Sequence, residues 1–164
     1  EICIYSIYEC LIVQLKRFSG KVLTELGSHT SADLRSKDIG DISVKDGVDF
    51  FEAVEIKYKK PITYEDVYSA YNKIKPTKVQ RYYLLSTENI NKEDEDKINK
   101  LIREVEKEHG CQIIVNGLVA SLNYYLRLLD DTDEFMDNYL ENLSKNSEVK
   151  AEQKLAWNEI VKNH

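Results

Sequence analysis

The chain has 164 residues, 42% apolar and 32% charged, ordinary proportions for one globular domain with its own hydrophobic core. No apolar run is long enough to span a membrane: Ile2 to Val13 is too short and Glu9 interrupts it, and it lacks the basic leader and small-residue cleavage site of a signal peptide, so no membrane partner and a cytoplasmic location are expected. Net charge is −6, but residues 1–88 balance 13 basic against 13 acidic side chains and the whole deficit falls in residues 89–164, which leaves room for a basic face that contacts phosphates.

From Ile2 to about Leu26 apolar residues recur at helical spacing (Ile4, Ile7, Tyr8, Leu11, Leu15, Phe18, Val22). That pattern predicts one long helix, with a break near Ser19-Gly20 and an end at Gly27. Ser28 to Asp38 is polar and reads as a loop. Ile39 to Val44 alternates as a strand does, Asp46-Gly47 is a hairpin turn signal, and Phe50 to Tyr58, rich in aromatic and β-branched residues, is the returning strand. Thr63 with Asp66 forms a capping pair for a helix whose apolar stripe is Val67, Ala70, Tyr71 and Ile74, ended by Pro76. Val79 to Ser86 is a third strand, Asn91 to His109 an amphipathic helix stopped by Gly110, and Cys111 to Val115 a fourth strand. Asn116-Gly117 opens a helix running to about Leu129, followed by helices over Asp133 to Leu143 and about Val149 to Val161. The expected class is α/β (α+β): a central mixed sheet flanked by helices, with extra C-terminal helices. The three cysteines, Cys3, Cys10 and Cys111, form no C-x-x-C or Cys/His cluster, which argues against a zinc site and fits a reducing compartment. Because residue 1 is Glu and the one methionine is Met136, the sequence is expected to be part of a longer chain.

The chemistry concentrates in Glu55-Ile56-Lys57. Side chains two apart on a strand share a face, so Glu55 and Lys57 are neighbours and Val54 and Ile56 point the other way. The hairpin brings back the preceding strand with Asp41, fourteen positions before Glu55, so that two carboxylates converge at one edge of the sheet. Converging carboxylates repel unless a cation lies between them, and Mg²⁺ suits such oxygen ligands while keeping several waters. A metal there lowers the pKa of bound water, and a lysine beside it can orient that water or neutralise charge growing on a phosphate. These residue types suit phosphodiester hydrolysis.

At these positions the sequence resembles the PD-(D/E)xK nuclease superfamily: Ile39-Gly40-Asp41-Ile42 followed by Ala53-Val54-Glu55-Ile56-Lys57 matches its pattern of an acidic residue on one hairpin strand and D/E-x-K on the next. Gly40 stands where the family often has Pro. Within the superfamily the chain looks most like a type II restriction endonuclease, through Val54-Glu55-Ile56-Lys57-Tyr58 and Arg81-Tyr82-Tyr83-Leu84-Leu85. The resemblance implies a restriction-endonuclease-like αβββαβ core over about residues 7–115 of a single domain, with C-terminal helices over 117–162. It implies Asp41 and Glu55 as Mg²⁺ ligands (Mn²⁺ as substitute), the Ile56 carbonyl as a further ligand, Lys57 assisting the water, and Glu9 on the first helix as a fourth member of the centre. Lys59, Lys60, Lys73, Lys75, Lys78 and Arg81 are the candidates for contacting double-stranded DNA. A homodimer or successive nicking would let such an enzyme cut both strands. The rival expectations are a repair or recombination nuclease with the same centre, and a non-catalytic DNA-binding or assembly module.

Overall fold

The computed structural model describes residues 1–26, 39–147 and 149–162. Five strands form one mixed sheet in the order β1 (Val22–Leu23), β2 (Ile42–Asp46), β3 (Asp49–Lys57), β4 (Val79–Ser86) and β5 (Gln112–Gly117). The pairs β1–β2 and β2–β3 are antiparallel, and β3, β4 and β5 are parallel to one another. This is an α+β fold, and β3 is the strand at which the sheet changes sense. The parallel pairs need crossovers, which are supplied by α2 (Tyr64–Ile74) between β3 and β4 and α3 (Glu95–His109) between β4 and β5. With α1 (Ile2–Gln14) in front, the elements run α1–β1–β2–β3–α2–β4, the αβββαβ order, before α3 and β5.

Two apolar layers cover the sheet. On one face α1 buries Ile4, Ile7, Tyr8 and Leu11 against Val44, Val54 and Leu85. On the other, Val67, Ala70 and Ile74 of α2 and Ile98 and Val105 of α3 pack on Ala53, Tyr82 and Leu84. Every second residue of β3 therefore belongs to a different layer, as a doubly covered strand requires. A register shift between Val44 and Lys45 leaves Phe51 as the extra residue on β3. That bulge puts both Phe51 and Glu52 on the α1 side and fixes Ala53, Glu55 and Lys57 on the α2 side.

The helix expected from residue 2 to residue 26 ends at Gln14. A single 3₁₀ turn over Lys16–Phe18 follows, Gly20 takes φ +76°, and Val22–Leu23 pairs with Lys45 and Val44 as β1. Sheet pairing wins because the continued helical spacing was a coincidence of burial: Phe18 reaches the same core from the 3₁₀ turn. The hairpin turns where expected, with Asp46 opposite Asp49 and Gly47 at φ +64°. Thr63 and Asp66 close a full capping box on α2, and Gly110 ends α3 in the left-handed conformation. Asn116 and Gly117 finish β5 rather than begin a helix. They lead into α4 (Leu118–Leu126), followed by α5 (Thr132–Lys145) and α6 (Ala151–Lys162). The predicted loop at 28–38 lies outside the described residues. Among the described residues, no helix is long and apolar enough to cross a membrane.

Candidate active site

Ile42 pairs with Val54, so Asp41, one position earlier, lies beside Glu55 at the carboxyl end of β3. The chain can approach this closely because residue 40 is glycine: a Cβ there would sit 2.7 Å from the Val54 carbonyl oxygen. Asp41 Oδ2 accepts a hydrogen bond from the Ile56 amide at 2.7 Å. The carboxylate is thus anchored to the residue that separates Glu55 from Lys57, and the three predicted residues come together.

Glu55 is the centre of the cluster. Its Oε1 is 2.6 Å from the Lys57 ammonium, and its Oε2 is 2.6 Å from that of Lys73 on α2. The Tyr82 hydroxyl on β4 lies 2.7 Å from the same Oε2 and 2.8 Å from the Ile39 carbonyl, so its one proton is shared between them. Burial raises the Glu55 pKa, but the hydrogen bonds from Lys57, Lys73 and Tyr82 outweigh it and hold the carboxyl at about 2. For Lys57, burial favours loss of the proton. The bond and charge of Glu55, helped by Asp66 at 3.4 Å, reverse this and raise its pKa. Tyr82 is pushed well upward by burial and then by the charge of Glu55, so it is a donor and not a phenolate.

The donor set fits a hard divalent cation. Asp41, just before β2, and Glu55, on β3, could offer it oxygen ligands, and among the described residues no group of three or more His, Cys, Asp or Glu side chains that could hold a metal is found. Two carboxylates suit an ion that keeps several of its waters, as Mg²⁺ does. The fit requires Glu55 to give up one of its ammonium partners.

Of the other predicted residues, the structure brings only Lys73 onto this centre. Glu9 is on α1, across the sheet, where its carboxylate accepts from Asn142 of α5 at 2.6 Å; burial raises its pKa ahead of the lowering by that bond. Periodicity put Glu9 on a helix but could not say which face of the sheet the helix would cover. The six basic residues do not form one face. Lys59 and Lys60 follow the carboxyl end of β3 and are exposed. Lys73 is engaged with Glu55. Lys75 lies over the Tyr71 ring at 4.5 Å, and Lys78 sits beside Phe50 at the amino end of β3. Arg81 points to the α1 side, where its guanidinium is 3.6 Å from the buried Glu52. There Glu52 is also paired with Arg17 and accepts from Tyr8 at 3.1 Å.

Two members escaped sequence reasoning. Tyr82 shares the α2 side with its β4 neighbour Leu84 and stands beside the small Ala53, which leaves room for its ring to reach under Glu55. Asp66 was recognised as a cap, and its second oxygen also faces Lys57. Beyond the cluster, at the carboxyl ends of β4 and β5, a cavity of about 320 Å³ is lined by residues that include Ile62, Glu88, Asn89, Lys92 and Asn116. No family model and no curated protein matches this chain.

Proposed function

We propose that the chain is a Mg²⁺-dependent endodeoxyribonuclease of the PD-(D/E)xK type, most like the catalytic domain of a type II restriction enzyme. One observation carries the reading: Asp41, Glu55 and Lys57 meet at the carboxyl end of the central strand β3, with the Asp41 carboxylate bonded to the Ile56 amide between the other two. Asp41, Glu55 and the Ile56 carbonyl would hold Mg²⁺ or Mn²⁺, which would supply an activated water and neutralise phosphate charge. The chain's own residues do the rest. Asp41 is held in place by the amide of Ile56. Tyr82 fixes the rotamer of Glu55. Lys57, an ammonium paired with Glu55 and Asp66, acts as a charged donor to the phosphate oxygen on which negative charge builds as water adds and the sugar oxygen leaves. The attacking water gives up its proton to solvent, and the departing sugar oxygen takes one up from solvent. Double-stranded DNA is the proposed substrate, approached through Lys59 and Lys60 beside the cluster, and a homodimer or two successive nicks would complete a double-strand cut.

The test is plasmid relaxation and linearisation with Mg²⁺ or Mn²⁺. Asp41→Asn, Glu55→Gln and Lys57→Ala are each expected to lower the cleavage rate by about 10²-fold or more, the usual scale for removing a group that stabilises the transition state. A wild-type protein that leaves the plasmid intact, or variants as fast as wild type, would overturn the reading. Discrete fragments would favour restriction, and a smear would favour a repair nuclease of lower sequence selectivity. The engagement of both Glu55 oxygens by lysines favours the second reading, a non-catalytic DNA-binding module in which the cluster is a structural ion pair; DNA binding without cleavage would select it.

A further inference from the structure

Glu55 carries one ammonium on each oxygen, and the two lysines are not equivalent. Lys57 is on the same strand as Glu55 and is also paired with Asp66, and its side chain is 26% exposed. Lys73 reaches in from α2 with a side chain 45% exposed. It ends a flexible four-carbon stem, so releasing it requires a rotamer change and no movement of the backbone. Its Nζ is 2.6 Å from Glu55 Oε2, on the oxygen that Tyr82 also holds. A magnesium ion needs a carboxylate oxygen at about 2.0–2.1 Å and cannot share that oxygen closely with an ammonium of the same sign.

We propose that Lys73 is a built-in stand-in for the cation, a positioning residue that keeps Glu55 paired while no metal is bound and competes with the metal for it. The inference rests on the nuclease reading above and adds to it a control of metal entry. With Lys57 and Lys73 in place, the three carboxylates Asp41, Glu55 and Asp66 face two ammoniums, a net charge of minus one. When a divalent ion enters and Lys73 swings out, the cluster becomes neutral and the freed ammonium at its edge is left as one unpaired positive charge. A phosphate diester supplies the missing anion and gives Lys73 a new partner. Metal and DNA therefore bind with positive coupling, each tightening the other by the same factor. The device suppresses metal loading of the free protein and favours it on the substrate.

The experiment is Mn²⁺ binding to the whole chain without DNA, followed by electron paramagnetic resonance of free Mn²⁺ or by calorimetry, and repeated with a non-cleavable phosphorothioate duplex. Removing the competing charge in Lys73→Met is expected to tighten Mn²⁺ binding by about three- to fivefold, the scale of a half-exposed ion pair, and to shrink the enhancement that DNA produces. Lys73→Arg keeps the charge and is expected to bind Mn²⁺ as weakly as wild type, and circular dichroism of both variants checks that α2 is intact. Unchanged or weaker Mn²⁺ binding by Lys73→Met, with wild type binding and Glu55→Gln not binding, overturns the role of Lys73 and leaves the nuclease reading standing. Absence of Mn²⁺ binding in wild type and Lys73→Met alike overturns both.

Discussion

At the scale of single residues the cluster is decided by how Glu55 is held. Its carboxyl is lowered from the ordinary 4.5 to about 2 because three donors outweigh the cost of burying it. A carboxyl whose folded-state pKa is depressed contributes stability that is fully present above its unfolded value and is lost as pH falls through the folded one. The window here is therefore about pH 4.5 down to 2, and the shift corresponds to roughly 3 kcal/mol. Urea unfolding measured across that window should show wild type losing about 2–3 kcal/mol more than Glu55→Gln, which has no charge to neutralise. Parallel pH profiles for the two proteins would mean that the lysines and Tyr82 do not hold Glu55 as the geometry has it. The same donors explain why Lys57 is assigned a charge-stabilising role: the group that lowers Glu55 is itself raised by it.

At the scale of elements the hairpin places the acid that the strand cannot supply alone. Gly40 is the tight point, since its added Cβ would meet backbone atoms of Val54, at 2.7 Å from the oxygen and 3.2 Å from the carbon, and backbone does not yield cheaply. Gly40→Ala should cost about 1–3 kcal/mol as an overpacking change and move Asp41 away from the Ile56 amide, so cleavage should fall further than stability alone explains. Gly20→Ala is the control: nothing crowds its Cβ and its cost is only the positive φ, so it should leave cleavage unchanged. A Gly40→Ala protein as stable and as fast as wild type would remove the close approach from the account. The hairpin was legible because Asp46-Gly47 announces a turn and the strand period then dictates that Glu55 and Lys57 share a face. The capping box at Thr63 and Asp66 was legible for the same kind of local reason. Residues 15–26 were not, because Phe18 is buried from a 3₁₀ turn at a position where a helix would also bury it. Nor was the place of Glu9, since the side of the sheet covered by α1 depends on long-range packing, and the ion pair of Lys73 with Glu55 joins elements whose relative orientation no local pattern encodes.

At the scale of the whole molecule the proposed function asks how a chain of net charge −6 would hold a polyanion. The sheet separates its basic residues. Lys78 lies beside Phe50, and Phe50 and Lys57 are seven residues apart on one strand, roughly 23 Å at about 3.3 Å per residue. Arg81 is on the opposite face, occupied with Glu52. On that proposal a duplex laid across the carboxyl end of β3 would meet Lys59, Lys60 and, once it is released from Glu55, Lys73. About three neutralised phosphates give a slope of log K against log salt near −2.7, shallow for a DNA-binding protein and in keeping with the acidic remainder of the surface. Lys60→Ala should reduce that slope by about 0.9. Arg81→Ala should leave the slope where it was and instead destabilise the fold, because it strips a partner from a carboxylate only 2% exposed. Fluorescence anisotropy of a labelled duplex between low and physiological salt separates the two substitutions. If Arg81→Ala lowered the slope and Lys60→Ala did not, the DNA would lie on the α1 face and the cluster around Glu55 would not be where the backbone is cut.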